Sequence, residues 1–341
     1  MRIRIATLCL LLVAGCSSQE RRSLVVYSPH GKEMLGAFEQ QYETLYPEVD
    51  VQWLDMGSQD VYDRIRTERQ NPQADIWWGA PATTLAKAEA EGLLERYVPT
   101  WDLAVADEFK SPHQYWYGTY VTPEVIMYNN RVLTKENIPT DWDDLLAPVW
   151  KDKVVIRYPL ASGTMRIIYS ALIQRELQRT GRLEDGFDWL RRLDANTKTY
   201  AADPTQLYLK IAREEGLVTL WNLPDVVLQV NVNRYPFGYV IPKSGTPLIT
   251  DCIAIVKGSK HIEEAKRFYE FITSKESLIR QAREFYRIPT RKDIPQADLP
   301  DWMTSLNLTP MNVDWDQLAA NEKVWMKRWD DEVKGSGRRG R

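Results

Sequence analysis

Ser162-Gly163-Thr164 is the stretch of this chain whose residue types most directly imply chemistry. It follows a β-favouring run, Lys153 to Tyr158, and opens an apolar-periodic run that reaches about Arg179. Two hydroxyls and a glycine therefore fall between a strand end and a helix start. A helix start carries backbone N–H groups without intrahelical partners and the positive end of the macrodipole. Hydroxyls and N–H groups in that position converge on an oxyanion. Serine is also a common N-cap, so Ser162 serves a ligand, its own helix, or both. The chain begins with the same kind of unit. Leu24 to Tyr27 reads as a buried strand, Ser28-Pro29-His30-Gly31 as a polar loop, and Met34, Phe38, Tyr42 and Leu45 recur at helical spacing. Ser28, His30 and Gly31 are candidates there, with the same choice between ligand and cap for Ser28.

Further candidates sit after other strands. Gly79 and Ala80 follow the run Ala74 to Trp78, and Asn222 and Asp225 follow Leu217 to Trp221. Trp78 and Trp221 close those strands, where an indole stacks on a sugar ring or faces a cation, or else joins the core. Asp203 and Asp225 either cap the helices behind them or accept from a ligand hydroxyl or ammonium. No residue is assigned a catalytic role. The chain has three histidines, His30, His113 and His261, and none lies in a nucleophile-elbow, zinc-protease or phosphate-loop motif. Of the three cysteines, Cys9 precedes the mature chain, Cys16 has another use, and Cys252 reads as a small buried hydrophobe. Neither a disulfide framework, a metal cluster nor a cofactor motif is expected.

The elements that position these loops alternate. Val49 to Leu54 reads as a second strand, Val61 and Ile65 as part of a second helix, and Ala82 to Glu91 as a third helix stopped by Gly92. This βαβαβ order implies a parallel sheet with ligands beyond the carboxyl ends of its strands. A second α/β run covers Lys153 to Ile241, and helical stretches follow from Gly258-Ser259 through Ile272, near 276–286 and near 315–332.

Residues 1–15 read as a signal peptide: Arg2 and Arg4, then an apolar run too short to span a bilayer. Leu12-Val13-Ala14-Gly15-Cys16 resembles a bacterial lipobox, which implies lipid on Cys16, a tether over 16–23, and a membrane anchor in the periplasm or at the cell surface. Without residues 1–15 the chain keeps 326 residues and a formal charge of −5, against −3 for the whole. That length suggests two domains, and the mild acidity gives no sign of nucleic acid binding.

Five strings in order carry a wider resemblance: VVYSPHGKE, FEQQYETLYPEVDVQWL, ADIWWGAP, VWKDKVVIRYPLASGT and TDCIAIVKGSKHIEEAKRFYEFITS. With them the chain resembles the bacterial extracellular solute-binding proteins of ABC importers. The nearest group is the two-domain one that includes ferric-ion, polyamine, sugar-phosphate and phosphonate binders. The resemblance implies an α/β fold of two lobes, each a mainly parallel sheet flanked by helices. Val121–Met127 and Ile249–Ile255 would be the crossover strands (the type 2 periplasmic binding fold). Lobe one would take 24–120 and 249–332, and lobe two 121–248, with 333–341 a disordered tail. It implies a monomer that captures a small-molecule solute by hinge closure and hands it to a membrane permease, with Ser28, His30, Gly31, Trp78, Gly79, Ala80, Ser162, Gly163, Thr164, Trp221, Asn222 and Asp225 at the ligand. Ferric-binding members carry tyrosines after the strand matching Leu217–Trp221, and a glutamate after the third strand. Here those loops read Asn222-Leu223-Pro224-Asp225 and Gly79-Ala80-Pro81. A small organic anion is therefore expected, with iron or a polyamine as the alternative of the same class and an α/β enzyme as the alternative of another.

Overall fold

The computed structural model describes residues 21–336. The expected signal peptide, Cys16 and residues 337–341 lie outside the described residues. Strand β1 spans Arg22–Ser28, so the expected tether ends before Arg22 rather than at residue 23. Helix α1 is Lys32–Leu45, β2 Val49–Asp55, α2 Ser58–Glu68, β3 Ile76–Pro81 and α3 Ala82–Ala90. The short β4, Leu94–Glu95, precedes the long β5, Tyr117–Asn129. Then come β6 Val154–Arg157, α4 Gly163–Thr180, α5 Leu183–Asn196, β7 Thr197–Ala201, α6 Pro204–Ala212, β8 Val218–Asn222, α7 Leu223–Asn231 and β9 Phe237–Val240. The chain closes with β10 Leu248–Val256, α8 Ile262–Ile272, α9 Lys275–Phe285, β11 Ile288–Pro289, α10 Asp301–Thr304 and α11 Trp315–Arg328.

The strand order is β2-β1-β3-β10-β5-β8-β6-β7. Strand β1 pairs in parallel with β2 and β3, as β6 does with β7 and β8. Strand β5 joins two lobes. Its Tyr117–Pro123 stretch pairs with β10, and its Glu124–Asn129 stretch with β8 and β9. Strands buried on both faces need apolar side chains on both, and β3 shows it: all six of its residues are buried. The first lobe has a core on each face of its sheet, one around Phe38, Trp78 and Phe268, the other around Tyr62, Trp77 and Leu85. The second lobe has one core, around Trp142, Ile168, Leu190 and Leu220.

Two boundaries differ from those expected. Strand β10, the expected return crossover, pairs with β3, β4 and the first half of β5. The crossing ends at its first residues: the Trp142 indole N–H still donates to the Gly245 carbonyl of the second lobe at 2.9 Å, and Ile249 is buried in that lobe's core. Residues up to 332 do not all rejoin the first lobe. Helix α11 buries Leu318, Trp325 and Met326 in the second lobe's core, because its apolar stripe finds α4 there. The tail expected from residue 333 starts later: Val333 is fully buried, and the Gly335 N–H donates to Asp194 at 3.0 Å.

Candidate functional site

Six helix N-termini open on one cleft of about 660 Å³. Gly31 of α1, Gly57 of α2 and Pro81 of α3 come from the first lobe; Ser162 of α4, Asp203 of α6 and Asn222 of α7 come from the second. Each follows a strand or a turn at a strand's carboxyl end, which is why parallel strands gather them on one side. The second-lobe helices are capped by their own side chains. The Ser162 hydroxyl accepts the Met165 N–H at 3.3 Å, Asp203 the Gln206 N–H at 2.8 Å and Asn222 the Asp225 N–H at 2.9 Å. The first-lobe helices have no such cap, and two of their N–H groups turn to neighbouring acids: Gly31 donates to Asp55 and Gly57 to Asp60. Burial is the main reason both carboxyls sit above their ordinary pKa.

Three cations line the cleft, Lys32, Arg157 and Arg287. Arg157 ends β6 and is only 5% exposed. Its guanidinium reaches the carbonyls of Tyr158, Ala201 and Ala161 at 3.4 Å each, and among the described residues no carboxylate lies within 4.0 Å of it. Desolvation lowers its pKa, while Asp203 and Asp60, farther off, oppose the shift. A buried guanidinium with only long carbonyl contacts is poised for a better acceptor. Arg287 is held differently. It pairs with Asp225 at 3.0 Å and lies 5.3 Å over the Tyr120 ring. Asp225 also accepts from the Asn222 amide at 2.9 Å and from the Tyr208 hydroxyl at 3.2 Å, while the Trp221 indole N–H donates to that hydroxyl at 3.0 Å.

The cleft floor comes from the strands that link the lobes. Thr122 of β5 donates its hydroxyl to Asp251 of β10, and both line the cleft. Burial pushes the Asp251 carboxyl up to about 6, against the pull of Thr122 and Arg287. His30 also lines the cleft, with its ring hydrogen-bonded to the Tyr120 hydroxyl. Burial, then Arg287, hold its pKa well below the usual histidine value, so the imidazole is neutral at physiological pH.

Of the residues expected from the sequence, His30, Gly31, Ser162, Gly163, Thr164, Trp221, Asn222 and Asp225 line the cleft. Ser28, Trp78, Gly79 and Ala80 do not. Ser28 is fully buried, and its hydroxyl accepts the His30 N–H at 3.2 Å, shaping the loop rather than facing the cleft. Trp78 packs edge-on to Phe38 at 5.6 Å inside the first lobe's core. Ala80 is buried on the opposite face of the same sheet. Gly79 has φ +96°, and a Cβ on it would lie 2.2 Å from the His30 ring, so it makes room for that imidazole. Sequence reasoning missed Arg157, Arg287, Thr122 and Asp251. A charge closing the apolar run Val154-Val155-Ile156 was a usable signal for Arg157. Arg287 carried none, since β11 alone brings it to the cleft.

Among the described residues no group of three or more histidine, cysteine, aspartate or glutamate side chains is placed to hold a metal ion. No helix of the described residues is long and apolar enough to cross a membrane.

The family described as bacterial extracellular solute-binding protein matches residues 71–321. A Sinorhizobium fredii protein named as an ABC transporter periplasmic-binding protein is 26% identical over 95% of this chain and 90% of its own. A Salmonella typhimurium protein bearing the name 2-aminoethylphosphonate-binding periplasmic protein is 25% identical over 96% of this chain and 97% of its own. The structure of the periplasmic binding protein AfuA from Actinobacillus pleuropneumoniae, with fructose 6-phosphate bound, superposes with a TM-score of 0.79 at 26% identity. That match covers 92% of this chain and 98% of that one. The fold is that of the type 2 periplasmic binding proteins, and these relatives are solute-binding proteins, not enzymes.

Proposed function

The chain belongs to the bacterial extracellular solute-binding proteins, and from that premise we propose that its cleft captures a small organic anion bearing a phosphate or phosphonate. Proteins of this family bind small solutes and deliver them to the permeases of ABC importers. The observation that carries the ligand class is Arg157, buried in the cleft without a paired carboxylate beside the N-terminus of α4. That helix end adds roughly half a positive charge and the hydroxyls of Ser162 and Thr164. The fructose 6-phosphate bound to one relative, and the 2-aminoethylphosphonate in the name of another, agree with this chemistry. The cleft also holds Asp55, Asp60 and Asp203. Those carboxylates disfavour a bare anion and favour a ligand whose other end donates hydrogen bonds, through hydroxyls or an ammonium. The two lobes would shut on the solute as rigid bodies. Lipid on Cys16 would keep the protein beside its permease; fatty-acid labelling lost in Cys16→Ser tests it.

A thermal-shift panel of fructose 6-phosphate, 2-aminoethylphosphonate, inorganic phosphate, ferric citrate and spermidine tests the ligand class. A ligand at 100 times its Kd adds roughly 2.7 kcal/mol of stability. The expected result is stabilisation by one of the two organic anions and less by inorganic phosphate. Stabilisation by ferric citrate or spermidine alone would overturn the anion reading.

A further inference from the structure

One face of α7 crosses from the second lobe to the first. Asp225, Leu228 and Asn231 are spaced three apart and share that face. Asp225 pairs with Arg287 at 3.0 Å. Leu228 is buried in the first lobe's core around Phe38 and Trp78, although its helix belongs to the second lobe. The Asn231 amide donates to the Tyr286 hydroxyl at 2.7 Å. Two of these partners, Tyr286 and Arg287, sit at the corner where α9 turns into β11. Tyr286 makes that turn with φ 59°, a left-handed backbone uncommon outside glycine. The next residues pair with β5 at Tyr120 and Val121. Arg287 is thus fixed from both sides, with its guanidinium over Tyr120 and its charge offered to α7.

We propose that Arg287 and Asp225 form a latch between the lobes, and that the Asp225–Leu228–Asn231 face is the surface on which they close. The proposal rests on the reading that the lobes close on a solute. Opening the lobes separates this ion pair and exposes Leu228. The latch and the cleft share one turn of helix: Asn222 caps α7 and lines the cleft, and Asp225 lines the cleft and pairs with Arg287. Both residues also line the cleft, so the latch is tested without solute, where only lobe closure is read. By holding α7 against α9 it sets the fraction of molecules whose cleft is assembled. Apparent affinity scales with that fraction. Neutralising either partner therefore weakens capture of any solute the cleft accepts.

The experiment uses the solute-free full-length protein, so its outcome does not depend on the ligand's identity. Small-angle scattering gives the open fraction for wild type, Asp225→Asn, Arg287→Gln, their double variant, and Asn231→Ala, whose side chain does not line the cleft. Each single variant should lower the closed-to-open ratio, by about tenfold for the charged pair. The double variant should be no more open than either single one. Asn231→Ala should open the protein while leaving its melting temperature near that of wild type. Scattering curves that match wild type for all four variants would overturn the latch. If the variants open the protein as described while no anion of the panel binds, the latch stands and the anion reading falls.

Discussion

Arg157→Met separates a ligand-binding guanidinium from a structural one, because the two roles predict opposite signs. The side chain is buried at the end of β6, and its contacts are carbonyls at 3.4 Å. Methionine has similar length and keeps the packing of the stem. In the solute-free protein, removing a desolvated cation that has no paired carboxylate is neutral or stabilising. With an anion bound, the same change removes a charge-assisted hydrogen bond worth about 1.5–3 kcal/mol. That corresponds to roughly a 10- to 150-fold rise in Kd. Calorimetry with the panel ligand that stabilises wild type gives the second quantity, and chemical denaturation without ligand gives the first. Ser162→Ala is the control. It should weaken binding and also cost about 0.5–2 kcal/mol of solute-free stability, because Ser162 caps α4 at 3.3 Å. If Arg157→Met leaves Kd unchanged but destabilises the empty protein by several kcal/mol, Arg157 is structural and does not hold the anion.

Three further outcomes follow from the geometry. Asp251 has its folded pKa raised from 3.8 to about 6, so its contribution to stability is full below about pH 4 and is lost as pH rises through about 6; melting temperatures across that window should fall less steeply in Asp251→Asn than in wild type. Gly79→Ala puts a Cβ 2.2 Å from the His30 ring at φ +96°, and denaturation should show a loss of about 2–5 kcal/mol from backbone strain and overpacking together. Gly57 has an ordinary φ of −58°, but a Cβ there would meet the Ala161 carbonyl of the other lobe at 2.5 Å; Gly57→Ala should fold normally, scatter as a more open particle, and bind the panel ligand more weakly.

The strand–loop–helix units were legible because each is local. Ser162 and Asn222 sit where a strand's period of two gives way to a helix's 3.6, and both line the cleft as well as capping a helix. Ser28 occupies the same kind of position and points inward instead. Its hydroxyl takes the His30 N–H, and no sequence rule says which way a loop side chain turns. Gly79 and Ala80 were read as loop because glycine and proline usually punctuate strands. Strand β10 extends β3 past them by pairing Asp251 with Pro81, a contact 170 residues apart in the chain. Helix α11 was assigned to the wrong lobe for a related reason. Its apolar stripe shows in the sequence, but which core has room for it does not. Arg287 was invisible, since only the pairing of β11 with β5 places it.

The closed geometry sets two electrostatic terms against each other. Bringing Gly57 against Ala161 places the N-termini of α2 and α4 side by side, so two positive helix ends face one another. Empty, that arrangement is repulsive, and Asp60 at the Gly57 N–H relieves only part of it. An anion between the two ends turns the repulsion into attraction on both sides. The Arg287–Asp225 pair lies on the other flank of the cleft and favours closure whether or not solute is present. A binding protein needs both terms. With the latch alone it would shut empty, and with the repulsion alone it would close only at high solute concentration. Where the two terms balance, the charge of one small anion decides between open and shut.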